Sequence, residues 1–355
     1  VETVKAAVWR AGQQISIEER AEPPAERGWA LVRVQLTGLC GTDLAIFAGR
    51  HQRAQAPLIM GHEMVGTVET VYGEGPARGT HVAVNPLMSC GLCWPCQHGF
   101  PHTCRHLRLL GIDCDGSLAD VVAVPISALV PLARETPPRQ AALVEPLAVA
   151  VRAVRQASVG VGDSVMIFGG GPIGILTGLV ARAAGAAAIL VAEPHIERRA
   201  VARRVGFVGV DATGPAVVDA VLDLTRGVGA DVTFDTAGDP AVPPLVSSVT
   251  REHGTVVIAG LHHQPAVLDL HALTFAEQRL IGSRVYTRED FSTAVATVEA
   301  DTLNLGKLPV LVLPLEDALQ AFRHALAHPG VVKVLVASSE PVLPECRSRT
   351  DVDSQ

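Results

Sequence analysis

Hydrophobic and polar positions change rhythm twice along this chain. In the first third the period is two. Over residues 29–37, Ala30, Val32, Val34 and Leu36 alternate with Leu31, Arg33, Gln35 and Thr37, the pattern of a half-buried strand. Val65, Val68 and Val71, then 81–84 and 119–124, continue it between glycine and proline breaks. Residues 1–10, charged at Glu2 and Lys5, read as a strand and not as a signal segment. One β-rich domain over 1–150 is expected. Over 139–156 the rhythm becomes Ala/Val/Leu at helical spacing, with a bend predicted at Pro146, which lacks an N–H. A second change comes at 164–168, an unbroken apolar run fit for a strand buried on both faces, and 188–192 is another. Helices near 197–205 and from 215 alternate with strands at 231–235, 255–259 and 280–285. This is an α/β pattern, a doubly wound parallel sheet over 151–285. Beyond Tyr286, helices near 290–299 and 315–327 and a strand at 331–336 leave that pattern, and residues 286–337 are expected to return to the first domain. In 338–355, charged and small residues outnumber core formers, so this tail is expected to be disordered.

A length of 355 residues suits two domains, and 48% hydrophobic with 18% charged residues suits a soluble globular protein. The formal charge of −7 provides no basic footprint for nucleic acid or anionic lipid. No apolar run approaches the ~18 residues that cross a bilayer. Four of the seven cysteines crowd into 90–104, leaving Cys40, Cys114 and Cys346. A disulfide framework is therefore not expected, and a reducing cytoplasm is.

Those four, Cys90, Cys93, Cys96 and Cys104, follow C-x2-C-x2-C-x7-C. Gly91, Pro95 and Gly99 make the segment a loop, and four thiolates with no open position describe a structural zinc site. A lobe over 88–106 with so few core formers would draw its folding energy from the metal. Buried or disulfide-bonded cysteines are the alternative. The strand at 164–168 leads into Gly169-Gly170-Gly171-Pro172-Ile173-Gly174, a G-x-G-x-x-G run before a helix. Gly169 admits the tight turn, Gly171 the close approach of a pyrophosphate, and Gly174 close helix–strand packing. The phosphates would rest on the helix N-terminus at Pro172 and Ile173. Glu193, nineteen positions after Gly174, stands where an acid accepts hydrogen bonds from the adenosine ribose. It would repel a ribose phosphate, although Arg198 and Arg199 follow closely, so NAD is favoured over NADP.

Cys40 at a loop tip, His62 and Glu63 before a strand, and Glu145 in the apolar stretch are further candidate ligands. Singly, each has a bland reading as a small core residue, a surface imidazole or a solvated acid. A buried Glu145 would want a cation; an exposed one would sit on the polar helix face.

In order, Gly38-Leu39-Cys40-Gly41-Thr42-Asp43, Gly61-His62-Glu63-Met64-Val65-Gly66, the cysteine lobe, Val144-Glu145-Pro146-Leu147-Ala148-Val149-Ala150 and Gly169 to Gly174 resemble the zinc-dependent medium-chain dehydrogenase/reductase superfamily over about residues 5–336. The Glu-Pro-Leu context and the segment from Gly282 to Phe291 resemble its polyol, butanediol and threonine dehydrogenase branch. The resemblance implies a GroES-like catalytic domain and a Rossmann cofactor domain. It implies one structural and one catalytic zinc, the latter on Cys40, His62 and Glu145 with an open fourth position. Glu63 would be an outer partner or an exchangeable ligand, and Thr42 would take the substrate proton. Many relatives carry His where this chain has Ala45, so the proton must leave by another route, with His51 nearest in sequence.

The implied reaction is reversible NAD-linked oxidation of a secondary alcohol to a ketone. Aromatic residues make up 4%, which favours a polar substrate: a diol, polyol, cyclitol or amino-alcohol. An NADP-linked carbonyl reductase, a primary-alcohol or aldehyde enzyme, and a non-catalytic nucleotide-binding protein are the alternatives. A homodimer or homotetramer is implied, paired through cofactor-domain sheet edges, with a strand near 255–260 as a candidate edge.

Overall fold

The computed structural model describes residues 3–211 and 214–338. Strand Trp29–Gly38 is the spine of the first domain. Ala30, Val32 and Val34 enter one apolar cluster, while Leu31 is buried on the opposite face under Val4 and Val121. The predicted wet face is thus half-buried at Arg33 and Gln35 and fully buried at Leu31 and Thr37. Among the described residues its sheet runs Leu129–Pro131, His81–Val84, Glu63–Val71, Trp29–Gly38, Lys333–Ala337, Val310–Pro314, with Val121–Pro125 also paired to Trp29–Gly38. The strand Lys333–Ala337 therefore lies beside Trp29–Gly38, about three hundred residues earlier, with Leu335 opposite Gly38.

The second sheet is parallel throughout, in the order Val208–Val210, Ala188–Ala192, Ser164–Phe168, Ala230–Asp235, Thr250–Ile258, Arg279–Gly282. Strand order reverses at Ser164–Phe168, and a doubly wound sheet binds ligands outside the carboxyl ends at such a point. Val208–Val210 is too short to show a period in the sequence.

Three expectations need correction. The strand over 255–260 is interior, with neighbours on both sides; the edge strands among the described residues are Val208–Val210 and Arg279–Gly282. The strand expected to reach Val285 ends at Gly282, and a left-handed Val285 (φ 37°) turns the chain away, delivering Tyr286 into the interior. Pro146 does not bend a long helix. The segment forms two helices, Pro138–Ala141 and Val144–Ala157, and Pro146 sits in the first turn of the second, where its missing N–H leaves no bond unmade.

Helix Val144–Ala157 joins the domains. Leu147, Ala148, Val151 and Val154 belong to one buried cluster that reaches Leu36, Val65 and Ala83 on one side and Val165, Ile167 and Ile175 on the other. Ser338 is buried and its hydroxyl donates to the Val34 carbonyl at 2.5 Å, so the expected disorder does not extend to this residue. The rest of that tail, 339–355, lies outside the described residues.

Leu147 is completely buried in the shared cluster. Leu147→Ala should destabilise the chain by about 2–5 kcal/mol in denaturant unfolding, the cost of a core cavity.

Candidate metal and nucleotide sites

The four lobe cysteines turn their sulfurs inward, Cys93 to Cys96 at 3.5 Å, Cys93 to Cys104 at 3.7 Å and Cys104 to Cys90 at 3.4 Å. A disulfide would bring two of them to about 2 Å. A tetrahedral zinc with Zn–S near 2.3 Å would space them by about 3.8 Å, and the donor set fits that ion. The backbone N–H groups of Cys90 and His106 each lie 3.3 Å from the Cys104 sulfur. Backbone N–H groups of Cys96 and Arg105 hold the Cys93 thiol down at about 6. Burial and then the neighbouring thiols push Cys96 up to about 12, so four thiolates together require a cation.

The second group forms where Trp29–Gly38 gives way to helix Gly41–Phe47, with Cys40 as the extended residue before the first turn. Asp43 on that turn is fully buried. Its Oδ2 accepts the Cys40 N–H at 2.9 Å; its Oδ1 accepts the Gly61 N–H at 3.3 Å and stands 3.5 Å from His62 Nδ1. One carboxylate thus ties both ligand-bearing turns together. Donor atoms of Cys40, His62 and Glu63 lie within 4.8 Å of one another. The Lys333 ammonium contacts Glu63 at 2.8 Å (Oε1) and 2.7 Å (Oε2) and donates to the Leu39 carbonyl at 3.2 Å. A Cβ on Gly38 would collide with Glu63 Oε2, so glycine makes room for the carboxylate.

Glu145 is not among those three. It is buried in the first turn of Val144–Ala157, and its Oε1 accepts the hydroxyl of the fully buried Tyr286 at 2.7 Å. Burial pushes its pKa up to about 7; Glu63 adds to this, while His62, Tyr286 and Lys333 oppose it. Burial opposes charge on His62 too, yet Asp43 and the Cys40 sulfur hold its pKa well above the usual range. The group therefore brings acidic and sulfur donors together and favours a cation among them. A thiol, an imidazole and carboxylates suit zinc. His62 Nδ1 is buried without a well-directed hydrogen bond, with Asp43 behind it as a carboxylate stands behind a ligating histidine.

Thr42 Oγ1 lies 3.8 Å from the Cys40 sulfur. Ala45 is on the same helix, and His51 accepts the Ala54 N–H on Nδ1 at 3.2 Å. Burial and then Arg53 lower the His51 pKa, against Asp113 and Asp43.

In the glycine loop, Gly169 is left-handed (φ 101°), and a Cβ on Gly174 would strike the Gly169 carbonyl. A Cβ on Gly171 would meet nothing within 4 Å, so space lies open there. Helix Pro172–Ala183 makes its first bond from Ile175 N–H to the Gly171 carbonyl, leaving the Ile173 and Gly174 N–H groups ahead of it. The buried Glu193 accepts the Gly170 N–H at 2.8 Å and the His195 N–H at 2.9 Å, with Arg198 Nη1 3.7 Å from Oε2. Its carboxylate is thereby fixed at the loop while each oxygen keeps a free lone pair.

Sequence reasoning missed Lys333, Tyr286 and Asp43 as site residues. For Lys333 a signal existed: one cation inside the apolar run Val331 to Val336 requires a buried partner. It also missed the buried Asp235, which accepts the Ala237 and Gly238 N–H groups at 3.0 Å and meets His262 Nε2 at 2.7 Å.

Cys104→Ser should lower zinc by one ion per chain, read by metal analysis, and lower Tm. Gly38→Ala should cost about 1–3 kcal/mol through its clash with Glu63. Gly41→Ala, whose Cβ would meet nothing within 4 Å, should stay within about 0.5 kcal/mol in the same denaturant titration.

Residues 26–134 match the family model described as alcohol dehydrogenase GroES-like domain, and residues 172–300 match zinc-binding dehydrogenase. The chain is 33% identical to 2-dehydro-3-deoxy-L-galactonate 5-dehydrogenase of Pseudoalteromonas atlantica, over 93% of this chain and 98% of the relative. The solved 2R,3R-butanediol dehydrogenase of Bacillus subtilis superposes with a TM-score of 0.86 at 30% identity, covering 94% of this chain and 99% of that one. A zinc-binding dehydrogenase of Sinorhizobium meliloti 1021, solved with NADP, gives a TM-score of 0.87 at 29% identity, covering 95% and 100%. With its GroES-like domain, its parallel nucleotide-fold sheet and these relatives, the chain belongs to the zinc-dependent medium-chain dehydrogenase/reductase superfamily and is an oxidoreductase similar to its polyol, butanediol and threonine dehydrogenases.

Proposed function

We propose that this chain oxidises a secondary alcohol of the diol, polyol, cyclitol or amino-alcohol class to a ketone, reversibly and with NAD. The observation that carries the reading is the group of Cys40, His62 and Glu63, whose donor atoms lie within 4.8 Å of one another, with the buried Glu145 acting on His62 and Glu63 electrostatically. When bound, the zinc supplies a Lewis acid for the hydroxyl, and the nicotinamide supplies the hydride acceptor. Cys40, His62 and Glu145 would hold the zinc; Glu63, already paired with Lys333, would be its exchangeable partner. Asp43 fixes the His62 ring from behind. Thr42 takes the hydroxyl proton at Oγ1, and His51 is the exit to solvent that replaces the histidine absent at Ala45. Tyr286 orients Glu145 through its hydroxyl. The four lobe cysteines would hold a second, structural zinc.

Gly169, Gly171, Pro172, Ile173 and Gly174 would cradle the pyrophosphate, with Glu193 on the ribose hydroxyls. The Glu193 carboxylate favours NAD over NADP. The NADP-bound Sinorhizobium relative keeps the NADP-linked reading in view, with Arg198 as the group that would meet a 2′-phosphate. The relatives named for a sugar-acid derivative and for butanediol support a polar hydroxyl substrate. A homodimer or homotetramer would pair through the edge strand Arg279–Gly282, where Leu280 is 45% exposed. Among the described residues no helix is long and apolar enough to cross a membrane. A cytoplasmic setting agrees with the free thiols of the lobe.

NADH formation by zinc-replete protein should appear with one class in a panel of butanediols, polyols, inositols, aminocyclitols and threonine; silence across the panel with NADP as well would overturn the reading. Glu145→Ala should remove the catalytic zinc and lower kcat about 100-fold or more while sparing the lobe zinc. Unchanged turnover with both ions retained would sink that assignment. Glu193→Ala should lower kcat/KM for NAD about tenfold or more, and for NADP much less.

A further inference from the structure

We infer that Asp235 and His262 form a clasp that holds residues 259–263 ready for the nicotinamide half of the cofactor, which makes His262 a positioning residue for the hydride acceptor. This rests on the nucleotide site proposed above. Asp235 ends the strand Ala230–Asp235 and is completely buried. Its Oδ1 accepts the Ala237 and Gly238 N–H groups at 3.0 Å, and its Oδ2 meets His262 Nε2 at 2.7 Å. Its backbone carbonyl accepts the Ala259 and Gly260 N–H groups at 2.9 and 2.7 Å. One residue thus fixes the two loops that leave adjacent parallel strands, Ala230–Asp235 and Thr250–Ile258, at their carboxyl ends. The loops also touch. A Cβ on Gly260 would strike the Gly238 nitrogen, and one on Gly238 the Leu261 carbonyl.

The position of the clasp ties it to the cofactor. Ser164–Phe168 lies between Ala188–Ala192 and Ala230–Asp235, so the glycine loop has Glu193 on one side and Asp235 on the other. Thr236 joins this second side to the loop, its hydroxyl donating to the Phe168 and Gly169 carbonyls at 2.8 and 3.1 Å. A dinucleotide spans the crevice where strand order reverses, one nucleoside to each side. With the adenosine at Glu193, the nicotinamide half is assigned to the loops that Asp235 fixes. The His262 side chain is 16% exposed, so the clasp stands at the surface of that crevice. The next residue, His263, is close enough to the catalytic domain to act on His51: burial and then Arg53 lower the His51 pKa, and His263 adds to them. A loop ordered beforehand costs a ligand less to bind than one it must freeze. Removing the imidazole would leave the turn at 236–238 bonded to Asp235 and would release the far end of 259–263 alone.

The test compares wild type, His262→Ala, His262→Gln and the double variant Asp235→Asn/His262→Ala. Dissociation constants are measured on zinc-replete protein for the reduced cofactor, NADH or NADPH as wild type prefers, by its fluorescence, and for ADP by calorimetry. Tm reports whether each variant is folded. ADP carries only the adenosine and the pyrophosphate, so it reads the side of Gly169 to Gly174 and Glu193. His262→Ala should weaken the reduced cofactor about tenfold and ADP by less than about twofold. His262→Gln, whose amide can donate to Asp235 from nearly the same place, should bind the reduced cofactor within about threefold of wild type. The double variant buries no unpaired carboxylate; it should match His262→Ala, and it keeps the test open if the single variant does not fold. Reduced-cofactor binding unchanged in the variants that lack the imidazole, or weakened there no more than ADP binding, overturns the inference and leaves the pair a support of the sheet alone. A wild type that binds no reduced cofactor overturns the nucleotide site itself, and the inference with it.

Discussion

A surplus of acidic and sulfur donors, most of them buried, is the constraint to which the rest of this structure answers. Cys40, Glu63 and Glu145 lie around one site with His62 and Lys333, and Asp43 stands behind the His62 ring. In so dry a place an unpaired carboxylate is costly, and the consequences are visible in the raised pKa values of Glu145 and His62. The fold keeps this unfavourable grouping because hydrophobic packing holds it. The helix that carries Glu145 is anchored by Leu147, Ala148 and Val151 in a core shared by both domains.

The cavity is assembled from five parts of the chain, and each is fixed by ordinary secondary structure. Cys40 and Asp43 open a helix, Glu63 begins a strand, Glu145 lies in the first turn of a helix, Tyr286 follows a left-handed turn, and Lys333 begins the strand that returns beside residue 38. Asp43 bonds the first two parts to each other; Lys333 bonds the last part to both. The site thus closes only when the C-terminal strand is in place. The nucleotide loop is simpler, with Gly169 to Gly174 and Glu193 following the carboxyl ends of two adjacent parallel strands of one unit.

Local features of the sequence were legible because their cause is local. The apolar run 164–168, its glycine turn and the following helix needed one βα unit and nothing distant. The cysteine spacing implied a common centre because a short loop can converge on one point. Cys40, His62 and Glu63 stood out by motif, yet Ala45 and the placement of the oligomer edge show where motif reasoning stopped. The candidate edge at 255–260 proved interior, since order in a parallel sheet depends on crossovers that no strand sequence records.

The chain's sequence by itself determined the two-domain α/β architecture, the glycine loop, the cysteine lobe and the identity of the main polar groups, because periodicity, turn chemistry and ligand spacing act over tens of residues. Only the tertiary structure decided which acid faces a cation and which a phenol. It alone brought Lys333 to Glu63 and Tyr286 to Glu145, across 270 and 141 residues. Pairing over such separations follows from sheet order and interdomain packing, which no local stretch of sequence records.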